Sequence, residues 1–312
     1  ARLEQSRHKL FNEINSLLNQ QDIDLVIIAF REPQNQPIFS LSGIDAPVKG
    51  LSIKLHKRNS LLYMWKCLVS YNPDHILIGG YGLIENWVAL IYAKCNNLPV
   101  TFWTGAGEDT TRSKSFFYYL LKRLFVNKID SAITYGTNAQ KYLEKLGMNP
   151  SRIHNAVNVS DVGFFKQVLG NHFNSLEMQN NIADLPRPIL VFVGRFESRK
   201  GVELLLERLA CLQNHQYFCY FIGTGTLSNK VKEYIDKRKI SGKFFGYLPQ
   251  EEVAKRLVES DVYILPSLND PFTRTLSEAL ASGCFVLNSK NDDASYNLID
   301  QGKNGFIFDP EN

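Results

Sequence analysis

Two basic residues follow a strand pattern in the second half of the chain. Residues 189–195 (ILVFVGR) predict a strand that ends in Gly194 and Arg195, and Lys200 stands five residues further on, before a helix pattern. Arginine and lysine on one loop can converge on a diphosphate, the guanidinium as a fork and the ammonium as a point charge. For an isolated pair of this kind, a solvated basic turn is the usual explanation. The neighbouring motifs therefore decide between a phosphate site and a surface turn.

Glycines and a tyrosine mark the next two strand patterns. Gly223 and Gly225 lie between the strand pattern at 217–223 and a helix pattern, and Tyr247 lies at the following strand pattern. A tight turn between strand and helix explains a Gly-x-Gly sequence equally well. Its position favours a ligand site, because it falls at the same edge of a parallel sheet as Arg195. A nucleotide base could then rest against the backbone near Tyr247.

The stretch 264–283 (ILPSLNDPFTRTLSEALASG) places two acids eight residues apart. Asp270, which a proline follows, predicts the N-cap of a helix, and such a helix start points free N–H groups towards a phosphate. Glu278 is predicted to lie off the packing face of that helix, where it contacts a ligand or solvent. Alone, each acid has an ordinary explanation, a helix cap for the first and a solvated surface carboxylate for the second.

These motifs belong to a regular alternation of strand and helix patterns along 312 residues. The predicted strands are 24–30, 76–80, 100–104, 132–136, 153–157, 189–195, 217–223, 243–248, 262–267, 284–288 and 305–309. The predicted helices are 3–20, 58–70, 84–97, 113–128, 137–147, 202–213, 226–239, 250–259, 272–282 and 293–301. The alternation predicts an α/β fold with parallel sheets, and a ligand crevice at the carboxyl ends of the strands. The polar segment 166–188 predicts a connection between an N-terminal domain, 1–165, and a C-terminal domain, 189–312.

Composition bounds the class of protein. Hydrophobic residues make up 44% and charged residues 21% of the chain, as in globular proteins. The net charge of +4 fits anionic small molecules or a membrane surface and is too weak to predict nucleic-acid binding. The cysteines lie in apolar or amphipathic segments without metal-ligand spacing, which predicts buried free thiols and a cytoplasmic protein. They are Cys67, Cys95, Cys211, Cys219 and Cys284.

In their order and spacing, the motifs of the second half resemble family 4 of the GT-B glycosyltransferases, the group 1 glycosyltransferases. The resemblance runs from Gly194 to Pro310 and includes the Gly-Arg…Lys-Gly loop, the Gly-x-Gly turn, VYILPS, the two acids, ALASGCFVLNS and GKNGFIFDP. It implies two Rossmann-like domains whose parallel sheets face each other across a cleft. The donor would bind in the C-terminal domain and the acceptor in the N-terminal one.

The resemblance implies a role for each matching residue. Arg195 and Lys200 would hold the diphosphate of a nucleotide sugar and neutralise charge on the departing nucleotide. Glu278 would bind the ribose hydroxyls, and Asp270 would contact the transferred sugar. The family usually has glutamate, one methylene longer, at the position of Asp270. The remaining donor-binding positions are Gly194, Gly223, Gly225, Tyr247, and the backbone N–H groups of Phe272 and Thr273.

The implied reaction is a retaining transfer from a nucleotide-diphosphate sugar, most commonly a UDP-sugar, in which the leaving diphosphate takes up the acceptor proton. We expect no metal requirement, since no Asp-x-Asp signature lies in a cleft context. Trp103-Thr104 resembles a subgroup associated with surface-glycan synthesis, so the implied acceptor is a glycan or a lipid-linked acceptor. Two other interpretations remain open. One is a nucleotide-sugar epimerase, against which the pair of acids argues, and the other is a nucleotide-sugar-binding subunit without turnover.

Residues after two strand patterns of the first half are candidates for the acceptor side. Gly80 ends one pattern in a glycine-rich loop, which fits either an acceptor contact or a simple turn. Thr104 ends another, and Glu108 or Asp109 beyond it could assist the acceptor hydroxyl proton. A solvated acidic loop is an equally good explanation. Many relatives carry a histidine just after this strand, and this chain has none there.

Two stretches that mix basic and apolar residues, 54–65 and 112–128, bear on membrane contact. Family enzymes that act on lipid-linked acceptors often place such helices on an anionic membrane, which implies a peripheral position on its cytoplasmic face. Ordinary packing against the sheet, with lysines extending to solvent, is the alternative, and the apolar content of 116–126 favours it for the second stretch. The chain is also expected to lack the family's first strand and final helix.

Overall fold

The architecture is taken from a computed structural model. It describes residues 8–29, 48–50, 57–108, 115–173, 175–212, 216–237 and 239–312. The helices in these ranges are α1 (His8–Asn19), α2 (Lys57–Tyr71), α3 (Ile84–Cys95), α4 (Phe116–Val126), α5 (Thr137–Lys145), α6 (Val162–His172), α7 (Leu176–Ile182), α8 (Val202–Cys211), α9 (Ser228–Asp236), α10 (Gln250–Val258), α11 (Arg274–Ala281) and α12 (Asp293–Leu298). The strands are β1 (Ile27–Ala29), β2 (Val48–Gly50), β3 (Ile76–Ile78), β4 (Val100–Thr104), β5 (Ser131–Thr134), β6 (Ile153–Asn155), β7 (Ile189–Val193), β8 (Phe218–Ile222), β9 (Gly242–Gly246), β10 (Val262–Leu265), β11 (Phe285–Ser289) and β12 (Gly305–Phe308).

The C-terminal half contains a six-stranded sheet in the order β12-β11-β10-β7-β8-β9, and every neighbouring pair in it is parallel. Parallel neighbours require crossover connections, which the intervening helices provide. This order brings the carboxyl ends of β7, β8 and β10 to one edge of the sheet. A four-stranded sheet in the order β3-β4-β5-β6 and the parallel pair β1-β2 lie in the first half.

Near-continuous burial along the central strands explains their apolar sequences. In β7 and β8 most residues are buried, as expected for a parallel sheet that is covered on both faces. The largest fully buried side chains of this half include Phe192, Phe221 and Tyr263. Leu206 on α8 and Leu276 on α11 pack into the same core. The sheet edge that carries the polar motifs is therefore held on a rigid core.

The chain forms two compact units. The first contains the described residues up to Thr104 together with Ser115–Ile133 and Leu146–His154. The second contains the described residues of 105–114 together with Thr134–Lys145 and Asn155–Asn312. The candidate donor residues all lie in the second unit.

The segment 166–188 differs from a simple polar connection, because it contributes to two helices. Asp161 caps α6 by accepting the backbone N–H of Phe164 at 3.2 Å, and Ser175 caps α7 by accepting that of Met178 at 3.1 Å. Helix α6 contacts α10 and α11 and buries Phe165. The polar composition of the segment concealed these helices, because their stability comes from packing on one face.

The predicted start of the helix at Asp270 is wrong. Helix α11 begins at Arg274, after an extended Thr273. Asp270 instead forms an isolated parallel bridge with Asp292, and its backbone N–H donates to the carbonyl of Asn291 at 3.0 Å. Tertiary partners thus occupy both the backbone and the side chain of Asp270, and it does not cap the helix.

The prediction of buried thiols holds for three of the five cysteines. Cys67, Cys219 and Cys284 are buried, whereas Cys95 and Cys211 are exposed. These two lie at the last residues of α3 and α8, where the amphipathic pattern turns towards solvent.

Candidate functional site

Close backbone approach requires glycine at the carboxyl ends of β7 and β8. A Cβ atom at Gly223, whose φ is +130°, would lie 1.9 Å from the carbonyl oxygen of Gly194. A Cβ atom at Gly225 would lie 2.3 Å from the carbonyl oxygen of Phe196. No side chain fits at such distances. The backbone of the loop after β8 therefore packs directly against the backbone of the loop after β7. The conformations of both loops therefore depend on their glycines.

A second backbone contact fixes the position of Lys200. The residue ends a 3-10 turn, Ser198–Lys200, and Gly201 follows with φ +69°. A Cβ atom at Gly201 would lie 1.8 Å from the carbonyl oxygen of Pro266, beyond the end of β10. The carbonyl of Arg199 also accepts the backbone N–H of Leu268 at 2.9 Å. The loop after β7 is thus pinned to the loop after β10.

The pinned loops join a lysine and an acid that lie seventy residues apart in the sequence. The Lys200 side chain is 11% exposed, and its Nζ forms an ion pair with Oδ2 of Asp270, whose side chain is 6% exposed. Nζ also lies 3.4 Å from Oγ1 of Thr273. Because the Lys200 ammonium is already buried, a phosphate oxygen that binds it does not first have to displace bulk water from it. The structure therefore brings together three of the residues predicted from sequence, Lys200, Asp270 and Thr273.

Arg195 occupies a different environment. Its side chain is 66% exposed, and Nη2 lies 2.7 Å from Oε1 of Glu197. Glu197 also accepts from Nε of Arg199 at 3.1 Å, so one carboxylate serves two guanidinium groups. An exposed ion pair of this kind contributes little to stability. Arg195 is therefore available to exchange Glu197 for an anionic ligand.

Asp292 is a buried acid that the sequence motifs did not indicate. Its Oδ1 accepts the backbone N–H groups of Thr273 at 3.0 Å and Ala294 at 3.1 Å, and its Oδ2 accepts from Nδ2 of Asn288 at 2.8 Å. Burial, reinforced by the neighbouring Asp270, raises the pKa of Asp292 to about 6. The carboxyl therefore binds the loop that precedes α11 and titrates close to neutral pH.

Glu278 has a partner from another segment that the sequence motifs did not predict. It is half-buried, and its Oε1 accepts the hydroxyl of Ser160 at 2.5 Å. Burial raises the pKa of Glu278, while the bond from Ser160 and the charge of Arg274 oppose that shift. The segment before α6 runs beside α11, and this long-range contact could not be predicted from helix periodicity.

Phe272 packs near a second buried acid. Oδ2 of Asp293 accepts the backbone N–H of Asn138, at the start of α5, at 2.9 Å. A Cβ atom at Gly136 would lie 2.4 Å from that same oxygen and 3.1 Å from Cδ2 of Phe272. Burial raises the pKa of Asp293. Asp292 and Asp293 lie three and four residues after the end of β11, and no sequence motif singled out either of them.

Tyr247 lies at the end of β9 and is 58% exposed. The carbonyl of the preceding Gly246 accepts the backbone N–H of Gly223 at 2.7 Å. This bond places Tyr247 next to the glycine turn after β8. Its ring is thus accessible at the same sheet edge as the other donor candidates.

The acceptor-side candidates are placed as follows. Gly80 has φ +102°, and its carbonyl accepts from Nδ2 of Asn86 at 2.7 Å. Thr104 is buried at the end of β4. Glu108 forms an ion pair with Lys145, with 2.5 Å between Nζ and Oε1. Asp109 lies outside the described residues.

Comparison with known proteins finds similarity to glycosyltransferases, most of it in the C-terminal part of the chain. The family model described as glycosyl transferases group 1 matches residues 173–312. The chain is 26% identical over 124 residues to the lipopolysaccharide core biosynthesis glycosyltransferase LpsE of Rhizobium meliloti, covering 39% of this chain and 35% of that protein. It is 24% identical over 206 residues to an uncharacterized protein of the cps region of Klebsiella pneumoniae, covering 65% of this chain and 54% of that one. The chain thus spans between about a third and about half of these curated relatives.

The fold comparison covers nearly the whole chain. HepE of Anabaena, solved in complex with UDP and glucose, superposes with a TM-score of 0.71 over 99% of this chain and 83% of that one, at 17% identity. The likeness confirms the predicted α/β class with the GT-B fold. The sequence match to the group 1 glycosyl transferases covers the C-terminal part of the chain, residues 173–312.

Proposed function

We propose that the protein is a retaining glycosyltransferase that moves a sugar from a UDP-sugar to a glycan or lipid-linked acceptor in surface-glycan synthesis. The observation that carries the proposal is the buried ion pair of Lys200 and Asp270 beside Thr273, at the carboxyl ends of a parallel sheet. Ligands of open α/β sheets bind at this edge. The relatives named for lipopolysaccharide core synthesis and the UDP complex of HepE support the substrate class.

Lys200 and Arg195 would share the diphosphate. The ammonium is buried and already positioned, and the guanidinium can turn from Glu197 to a phosphate oxygen. Each charge-assisted hydrogen bond of this kind is worth roughly 1.5–3 kcal/mol. These two cations would stabilise the charge that develops on the leaving diphosphate, which then takes up the proton of the acceptor hydroxyl. We propose that they do so without a metal ion.

Acids on the same edge would orient the rest of the donor. Asp270 can hold Lys200 with one carboxylate oxygen and a sugar hydroxyl with the other, and Glu278 can do the same for the ribose. The nucleotide would lie against the loops that carry Gly194, Gly223 and Gly225, with the exposed Tyr247 beside the base. The contribution of these residues to rate is positioning.

The acceptor would bind on the first-half sheet, for which Gly80 and Thr104 are the candidates. In the proposed mechanism the diphosphate accepts the acceptor proton. Glu108 or Asp109 would then assist only by binding the acceptor.

The test uses the full chain with a panel of nucleotide sugars. Calorimetry should detect binding of UDP and of one or more UDP-sugars, and mass spectrometry should detect slow release of free sugar from the bound donor. Lys200→Met keeps the length of the side chain and removes its charge, so it should lose both signals while its circular dichroism stays that of the wild type. A protein that binds donor without releasing or transferring sugar, even with glycan and lipid-linked acceptors, would instead be a binding subunit.

We further propose that the outer face of α4 contacts an anionic membrane. Phe116 and Phe117 are 80% and 67% exposed, and Leu120 and Leu124 are also exposed. These four side chains lie on one side of the helix, and the exposed Arg123 borders them. An apolar stripe with a basic border is the pattern of an interfacial helix. The opposite face of α4 packs inward through Phe125, whose ring centroid lies 4.9 Å from that of Trp87.

Vesicle sedimentation tests this contact. The protein should bind vesicles of phosphatidylglycerol and should not bind vesicles of pure phosphatidylcholine. Phe117→Ser with Leu120→Ser should abolish the binding, whereas Ile91→Ser, at an exposed isoleucine of α3, should leave it intact. None of the helices in the described ranges combines the length and the apolar composition that crossing a bilayer requires. If the α4 double variant binds phosphatidylglycerol vesicles as well as wild type does, the proposed membrane contact is wrong.

A further inference from the structure

The segment before α6 touches the candidate donor site through a residue that no sequence motif indicates. Ser160 donates its hydroxyl to Oε1 of Glu278 at 2.5 Å. Its backbone N–H donates to Oγ of Ser277 at 3.0 Å, and Ser277 in turn donates its hydroxyl to the carbonyl of Arg274 at 2.7 Å. Side chain and backbone of Ser160 therefore bind two consecutive residues of α11.

The residues that follow Ser160 in the chain are also held in place. Asp161 follows directly and caps α6 through the backbone N–H of Phe164 at 3.2 Å. Helix α6 packs against α11 and buries Phe165. The hydroxyl of Ser160 is thus presented to Glu278 from a fixed backbone, and the contact does not depend on the conformation of a free loop.

We propose that Ser160 is a positioning residue for Glu278, holding one carboxylate oxygen so that the other faces a hydroxyl of the donor's ribose. The inference rests on the proposed function, because it requires that Glu278 binds the donor. A glutamate side chain has several rotatable bonds, and fixing it before binding lowers the entropic cost of binding. A carboxylate has two oxygens, so the bond from Ser160 leaves Oε2 to accept from a ligand.

The bond also acts on the charge of Glu278. Burial opposes the ionised form of this carboxyl, and the hydroxyl of Ser160 favours it. The charged and titratable groups that interact with it are Arg274 on the same helix and the Tyr263 phenol on β10, and Asp161 follows Ser160 in the chain. Without the hydroxyl, the pKa of Glu278 should rise further. The carboxyl would then be protonated at a higher pH, and a neutral acid is a weaker acceptor for a ribose hydroxyl.

The experiment compares UDP with 2′,3′-dideoxy-UDP by calorimetry at several pH values. In Ser160→Ala we expect UDP affinity to fall about three- to tenfold, the loss that ordering one side chain on binding produces. The acidic limb of the affinity profile should move to higher pH. Affinity for the dideoxy analogue should change little, because it lacks the hydroxyls that Glu278 would bind. Ser160→Thr, which keeps the hydroxyl, should restore both the affinity and the profile.

Ser277→Ala is the matched control. It removes the acceptor of the Ser160 backbone N–H and leaves the Ser160 hydroxyl in place. The variant therefore tests only whether the segment before α6 must be held against α11. It should not move the pH profile of UDP affinity. Equal UDP affinity and an equal profile in Ser160→Ala and the wild type would overturn the inference, as would equal losses for UDP and its dideoxy analogue. If the wild type binds no UDP at any pH, the proposed function itself fails. The two failures are therefore distinguishable.

Discussion

Asp292 accepts the backbone N–H of Thr273 at 3.0 Å and forms a parallel bridge with Asp270 through the backbone. A buried carboxyl from the loop after β11 therefore organises the loop after β10. The organised loop carries Asp270, which pairs with Lys200 from the loop after β7. The candidate donor site is thus assembled from three strand ends, with Asp292 beneath it.

Asp292 should make stability depend on pH. Its pKa is raised from 3.8 to about 6, so the folded protein binds this proton more tightly than the unfolded chain does. The resulting stability is complete below pH 3.8 and is lost as the pH rises through 6. Asp292→Asn removes this dependence. Between pH 4 and 7, the free energy of unfolding of the variant should rise relative to wild type by roughly 2 kcal/mol.

Urea denaturation at several pH values measures this difference. Asp300→Asn is the matched control, because Asp300 is an exposed acid whose side chain pairs with Lys303 on the surface. The difference in the free energy of unfolding between Asp300→Asn and wild type should be the same at every pH between 4 and 7. A flat difference for Asp292→Asn as well would mean that Asp292 has an ordinary pKa in the folded protein.

Gly223 should tolerate no side chain. Gly223→Ala would place a Cβ atom 1.9 Å from the carbonyl oxygen of Gly194 and would keep a φ of +130°, so the turn must open. We expect a loss of several kcal/mol of stability and loss of UDP binding. Gly170→Ala is the control, since its Cβ meets nothing within 4 Å and it lies inside α6. It should stabilise the protein by about 0.5–1 kcal/mol. Thermal unfolding of both variants measures these changes in stability. A Gly223→Ala protein that is as stable as wild type would contradict the prediction.

Donor turnover should not depend on a divalent metal. In the proposed mechanism, Lys200 and Arg195 would supply two positive charges for the diphosphate, in the role that a metal ion fills in other transferases. Turnover measured in EDTA should therefore equal turnover in magnesium or manganese. An activity that EDTA abolishes and magnesium restores would show that the two cations are insufficient.

The strand and helix patterns of the second half predict its sheet well, because buried parallel strands and amphipathic helices both leave strong signals. The same patterns placed Lys200 and the Asp270 loop at one sheet edge. They could not show that Asp270 would pair with Lys200 instead of capping a helix, because local propensity ignores tertiary partners. Nor could they show the contact of Ser160 with Glu278, which joins residues 118 apart in sequence. Long-range polar contacts such as these cannot be predicted from local sequence patterns.

Arg195 illustrates the opposite case. Its spacing from Lys200 predicts convergence on one ligand, yet in this structure Lys200 is buried and Arg195 is exposed and paired with Glu197. Their spacing alone does not fix the direction of either side chain. A ligand that draws Arg195 away from Glu197 would bring the two charges together.

Calorimetric titration of UDP tests the central claim that Lys200 and Arg195 hold a diphosphate. The wild type should bind, and Lys200→Met and Arg195→Ala should each weaken binding at least about tenfold, the loss of one charge-assisted bond. Arg199→Ala should bind like wild type, since Arg199 is also exposed and also pairs with Glu197 but is not placed in the site. Folded Lys200→Met protein that binds UDP as tightly as wild type would contradict the account.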